Sequence, residues 1–188
     1  MLLIIKLIFF CISNVGFWEM IRRNTKINVY FFPSLTIAVQ TTVLFLSGIL
    51  NLLKEMTGLL YGIGIIWFIY CVYRDKGIKW VKNYINIGFV FLAIASMVML
   101  IFMKGKIFTH YDNFSHWAIV VKTMIETNRY PNFEDTLIMF QEYPLGSATY
   151  IYFFVKLVST SESIQMFAQT YMILSCIIPL FVFNTWWV

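Results

Sequence analysis

Charged residues fall in a few short stretches of this chain, and long apolar runs lie between them. No Lys, Arg, Asp or Glu occurs in residues 27–53, 56–73, 83–103 or 163–188. A helix of about 20 apolar residues spans the hydrocarbon core of a bilayer, so the pattern predicts spans at residues 29–53, 56–73, 83–103 and 164–184. Two shorter stretches join them. Residues 2–18 are interrupted by Lys6, Ser13 and Asn14, but no small-x-small cleavage site follows and Phe17-Trp18 suits an interfacial anchor. A retained helix is expected there rather than a signal peptide. Residues 143–158 are apolar up to Lys156, whose ammonium can snorkel to the headgroups. The expected fold is all-α: one membrane domain, a polytopic bundle of about six transmembrane helices.

Composition strengthens this picture. The chain is 60% apolar and 12% charged, with a mean hydropathy of +0.77, whereas soluble domains carry roughly 25% charged residues. The net charge of +5 does not point to nucleic acid, because the bases flank the apolar runs. Arg22, Arg23 and Lys26 sit in the first connection, and Arg74, Lys76, Lys79 and Lys82 in the third; the second offers only Lys54 beside Glu55. Short cytoplasmic loops are rich in Lys and Arg, so the odd connections are expected on the cytoplasmic side of the cell (plasma or inner) membrane. The amino terminus and residues 104–142 then lie outside, Lys104 and Lys106 notwithstanding. Cys11, Cys71 and Cys176 all fall in apolar runs, which suits neither a disulfide framework nor a zinc site. Ion and proton pathways usually need acids or bases inside the spans; their absence from the four long runs disfavours a transporter or pump.

Residues 104–142 form the one long polar stretch. Asp112 or Asn113 can cap a helix, beyond which Phe114, Trp117, Val120, Val121, Met124 and Ile125 recur at helical spacing with Ser115, Lys122 and Glu126 opposite. Such an amphipathic helix would lie along the outer interface and end near Asn128-Arg129-Tyr130, since Pro131 disfavours helix in the residue before it. Tyr143-Pro144 then opens another helix, proline being tolerated in the first turn, and the small residues Gly146, Ser147 and Ala148 allow close packing.

The segments Tyr111-Asp112-Asn113-Phe114-Ser115-His116-Trp117, Asn128-Arg129-Tyr130-Pro131-Asn132 and Tyr143-Pro144-Leu145-Gly146-Ser147 resemble the first outer loop of GT-C-type glycosyltransferases. These polytopic enzymes use polyprenyl-phosphate-linked sugars as donors. The resemblance implies that Asp112 is the catalytic base, and that membrane lipids and a lipid-linked sugar are the partners. The acceptor would be an envelope glycan, a glycolipid or a protein. Deprotonating an acceptor hydroxyl needs a carboxylate, and the departing phosphate needs positive charge, for which Lys122 and Arg129 are candidates. His110, His116 and Tyr143 are supporting candidates, with a divalent cation as a conceivable cofactor. Family members run to several hundred residues, so the chain, ending at Trp186-Trp187-Val188, is expected to be the amino-terminal part of a longer protein.

Plainer readings stand beside these. Asp112 equally suits a helix cap, and Lys122 and Arg129 equally suit solvated charges at a headgroup surface. His110 and His116 are six apart, whereas metal pairs on a helix sit four apart, so no dedicated metal site is expected. Glu134, Asp135 and Glu142 read as loop polarity. The rival class is a non-enzymatic membrane protein: a transporter or flippase fragment, or an accessory subunit.

Overall fold

The apolar runs become helices whose ends are set by local chemistry. The computed structural model describes residues 2–186, which form eight α-helices joined by turns and short 3-10 stretches, with no strand among them. Trp187 and Val188 of the expected aromatic terminus lie outside the described residues.

Helix α1 (Leu2–Asn24) continues past the expected end at residue 18. The continuation depends on Glu19, which is fully buried. Its carboxylate accepts hydrogen bonds from Arg22 at 2.7 and 2.9 Å, from Arg23 at 2.9 Å and from the Tyr84 hydroxyl at 2.7 Å. The arginines, three and four residues on, lie on the same helix face as Glu19, so the helix carries the acid already neutralised. Arg23 also pairs with Asp75, tying the ends of α1 and α3 together.

Helix α2 (Phe32–Ile49) has Pro33 in its first turn and follows a 3-10 turn, Val29–Phe31, capped by Asn28. Asn51, left-handed at φ 58°, turns the chain into α3 (Leu53–Arg74). A 3-10 stretch (Lys79–Tyr84) with Trp80 and Tyr84 buried leads to α4 (Ile87–Met103), capped by Asn86. The loop holds α5 (Tyr111–Ser115) and α6 (Trp117–Thr127), followed by α7 (Gly146–Leu157) and α8 (Glu162–Ile177). Beyond α8 the chain narrows to a 3-10 helix, Ile178–Trp186, where Pro179 has no amide hydrogen to continue the α-helical ladder.

Four helical stretches are long and apolar enough to cross a membrane: Leu2–Asn24, Val29–Ile49, Leu53–Arg74 and Glu162–Phe183. The 17 residues of α4 reach about 25 Å at 1.5 Å per residue. The expected span at residues 143–158 does not match. Its helix, α7, has 12 residues and measures about 18 Å, well short of the ~30 Å hydrocarbon core.

Partner residues show how the helices run. Ser13 bonds to the Tyr61 carbonyl, Gly16 packs on Gly64 and Arg23 meets Asp75, so α1 and α3 are parallel. Gly88 lies near Ile178 and Met103 near Thr170, so α4 and α8 are antiparallel. One end of the bundle gathers Arg22, Arg23, Asp75 and Tyr84. At the other, Glu162 accepts a hydrogen bond from the Phe108 amide at 2.6 Å, and the start of α1 lies against residues 155–160.

Helix α7 belongs to this second, loop end. It begins beside Thr41, Thr42 and Phe45, about two turns down α2 from Ile49, and climbs back to the α8 start. All eight residues Ala148–Val155 are buried against α2, α6, α8 and Phe10 of α1. The apolar stretch is therefore covered by protein along Ala148–Val155.

The α1–α3 crossing is the closest approach. A methyl group on Gly16 would overlap the Gly64 carbonyl, whereas Gly62 faces open space. Gly16→Ala is expected to destabilise the fold by about 1–3 kcal/mol and Gly62→Ala to leave it unchanged. Thermal midpoints of the detergent-solubilised protein, followed by loss of the monodisperse chromatographic peak, measure the difference.

Candidate functional site

The loop is built on α7. Helix α6 lays Val120, Val121 and Met124 onto it, all buried, and three polar contacts fasten the seam. The Lys156 ammonium donates to the Ile125 carbonyl at 3.1 Å, the Tyr152 hydroxyl bonds Asn128 at 3.0 Å, and Tyr130 meets Thr149 at 2.9 Å. Asn128, left-handed at φ 56°, caps the end of α6, and Pro131 prevents its continuation, as the spacing predicts. The apolar face thus rests on protein rather than lying on an interface. Phe114 and Trp117, expected on that face, are largely exposed, because the helix breaks at His116 (φ −150°, ψ −69°) and α5 takes a different direction from α6.

The expected cap is also displaced. His110, not Asp112 or Asn113, caps α5: its Nδ1 accepts from the Asp112 amide at 3.3 Å. The same nitrogen lies 3.4 Å from the Asp112 carboxylate, and one Nδ1 cannot both accept from the amide and donate to the acid. The Asp112 carboxylate is open to solvent, its side chain 58% exposed.

The remaining candidates separate. Lys122 lines a cleft of about 380 Å³ between α5, α6 and α8, walled by Phe108, Phe114, Ile119 and Ile125 and shared with Asn113 and Gln165. Arg129 does not reach it. Its guanidinium grips Asp135 at 2.8 and 3.3 Å and donates to the Tyr130 carbonyl. Asp135 also accepts from the Asn132 amide at 2.8 Å, and its own carbonyl accepts from Gln141. This acid, read from sequence as loop polarity, organises the returning segment, and Arg129 holds its carboxyl below the usual carboxylate range.

His116 and Tyr143 come together away from the cleft. The His116 ring packs edge-on against Trp117, Phe140 and Tyr143, while Phe140 and Tyr143 stack at 5.1 Å. The imidazole is only 3% exposed, and its Nδ1 has no hydrogen-bond partner among the described residues. A bond from the Met139 amide to the Ser115 carbonyl, 3.0 Å, fixes the same strap to α5; Ser115, expected on the polar face, is buried by it. No group of three His, Cys, Asp or Glu that could hold a metal ion occurs among the described residues. His110 and Asp112 bring two donors to one corner.

Sequence reading passed over Gln165. It is buried in α8 at the cleft, and a scan for charges in apolar runs does not register an uncharged amide. A polar amide at the second residue of a predicted span is the signal that would have found it.

Burial pushes the His116 imidazole below its ordinary value. The unfolded chain therefore takes up a proton first as pH falls, and the stability that His116 contributes is complete above about pH 6.5 and lost below it. The thermal midpoint is expected to drop between pH 7.5 and 5.5, and His116→Phe to flatten that drop.

Comparison of the chain with protein-family models, with curated proteins and with solved structures finds no match.

Proposed function

We propose that the chain is a membrane glycosyltransferase of the GT-C kind, moving a sugar from a polyprenyl phosphate to an acceptor hydroxyl at the outer face of the cell membrane. The observation that carries the reading is a juxtaposition at the loop end. Asp112 presents an open carboxylate in the first turn of α5, and the next residue, Asn113, lines an apolar-walled cleft that also holds Lys122. A lipid-linked donor needs these features together: an apolar wall for the prenyl chain, a cation for the phosphate and a base for the acceptor. Lys122 has no ion-pair partner among the described residues, whereas Arg129 is committed to Asp135. Lys122 is therefore the phosphate partner in this reading.

In the reaction Asp112 takes the proton from the acceptor hydroxyl while its oxygen bonds to the anomeric carbon. The bond from that carbon to the phosphate oxygen breaks, and polyprenyl phosphate leaves with its charge balanced by Lys122. In the same reading α1, α2, α3, α4 and α8 cross the membrane, with Arg22, Arg23, Arg74, Lys76, Lys79 and Lys82 on the cytoplasmic side, where short basic loops are retained.

Asp112→Asn keeps the shape of the side chain and removes its basicity. Transfer of labelled sugar from polyprenyl-phosphate donors in membranes carrying the protein is expected to fall roughly a hundredfold or more, with unchanged membrane insertion. Full transfer by the variant would remove Asp112 as the base, and no transfer above that of membranes lacking the protein would leave the non-enzymatic reading, a transporter or flippase component or an accessory subunit, in its place.

A further inference from the structure

The cleft contains a polar group that the transfer chemistry leaves unused. Gln165 is 7% exposed on α8 and lines both the cleft and the narrower hollow beneath it, where Trp117, Val121 and Ile151 close in. Its Nε2 donates to the Thr160 carbonyl at 2.9 Å. Only the nitrogen can donate to a carbonyl, so this bond identifies the other amide atom as the acceptor Oε1. That oxygen has no hydrogen-bond partner among the described residues. A buried acceptor left unpaired is costly, and its demand is specific: it needs a donor.

The surrounding groups narrow what the donor can be. Lys122 shares the cleft lining with the carboxylates Glu126 and Glu162, so an anionic group fits only at the Lys122 ammonium itself, while Phe108, Phe114 and Ile125 offer apolar surface. The Glu162 carboxylate is engaged by the Phe108 amide at 2.6 Å, so it is already occupied at the α8 end. A ligand that meets all three demands carries an anionic group, an apolar chain and a neutral hydrogen-bond donor.

We propose that Gln165 Oε1 accepts a hydrogen bond from a hydroxyl of the sugar on a lipid-linked phosphosugar, making Gln165 a specificity-determining residue of the cleft. The class of ligand rests on the transfer reading above. Lys122 at the same cleft takes the phosphate, and the apolar wall takes the first part of the prenyl chain. Gln165 discriminates between sugars because a ligand without a hydroxyl at that point leaves the buried oxygen unpaired.

The test is binding to the full chain in nanodiscs. The probes are geranyl phosphate and its glucose, galactose, mannose and N-acetylglucosamine conjugates, with geranyl phosphoethanolamine as the amine-bearing control. The wild-type protein is expected to bind at least one sugar conjugate more tightly than bare geranyl phosphate. Gln165→Leu should remove that preference, an effect of about tenfold for one lost hydrogen bond to a buried group, while binding of bare geranyl phosphate stays as before. Lys122→Gln should weaken all phosphate probes alike. Equal weakening of bare and sugar-bearing probes by Gln165→Leu would assign Gln165 a structural role and overturn the proposal. So would a wild-type protein that prefers no sugar conjugate, or one that prefers the phosphoethanolamine probe. Failure of the transfer reading has a separate signature: binding that depends on Gln165 together with no transfer above that of membranes lacking the protein.

Discussion

A short helix with no exposed side organises this protein. Eight consecutive residues of α7, Ala148 to Val155, are buried, so the helix must be walled on every face. Phe10 of α1 reaches Phe154 with ring centroids 4.4 Å apart, Phe167 of α8 packs edge-on against the same ring, and α2 and α6 close the remaining faces. Tyr150, Tyr152, Phe153 and Phe154 are among the largest fully buried side chains, and aromatic burial of this size dominates core energetics. Helix α7 starts beside Thr41, Thr42 and Phe45 of α2 and ends beside the start of α1, so the chain returns to the end from which the loop came. That return path sets down the loop, and with it the cleft.

The opposite end combines a buried charge cluster with the packed rings of Trp18, Phe32, Trp80, Tyr84 and Phe89. Glu19, with no exposed surface, is surrounded by two arginines and a tyrosine hydroxyl. Burial and the Glu19 carboxylate together raise the Tyr84 phenol far above its ordinary pKa, so it stays a hydrogen-bond donor. A buried acid costs several kcal/mol unless its charge is matched and its lone pairs are filled; here both conditions hold. The cluster joins α1, α3 and the 3-10 stretch before α4. Between it and α7 lies the Gly16–Gly64 crossing, where the missing side chains let two parallel helices touch backbone to backbone.

Between these constraints the loop is assembled from small polar fastenings on apolar support. Asp135 gathers Arg129 and the Asn132 amide, and Lys156 and Tyr152 bind the end of α6 to α7. Such fastenings consume much of the loop's polarity, so what they leave open is informative. Asp112, Lys122, Glu126 and the Gln165 oxygen are left open around the α5–α8 cleft among the described residues, and the functional proposals rest on the first two and the last.

The sequence alone determined that the chain is helical and built from apolar runs, where most of the runs start and stop, and that bases collect at one end and the polar loop at the other. It also determined the end of α6, because Asn128 and Pro131 act through local backbone geometry. The tertiary structure decided the rest. Hydropathy cannot tell a helix covered by lipid from one covered by protein, since both bury apolar side chains, so residues 143–158 resembled a span until the packing of α7 was known. The first apolar run ends at residue 18, yet α1 continues to Asn24 because Arg22, Arg23 and Tyr84 gather around Glu19. Spacing along a loop likewise cannot say which side chains meet once the chain turns back. His116 went to the aromatic cluster, Arg129 to Asp135 and Lys122 to the cleft because α6 had to lie on α7.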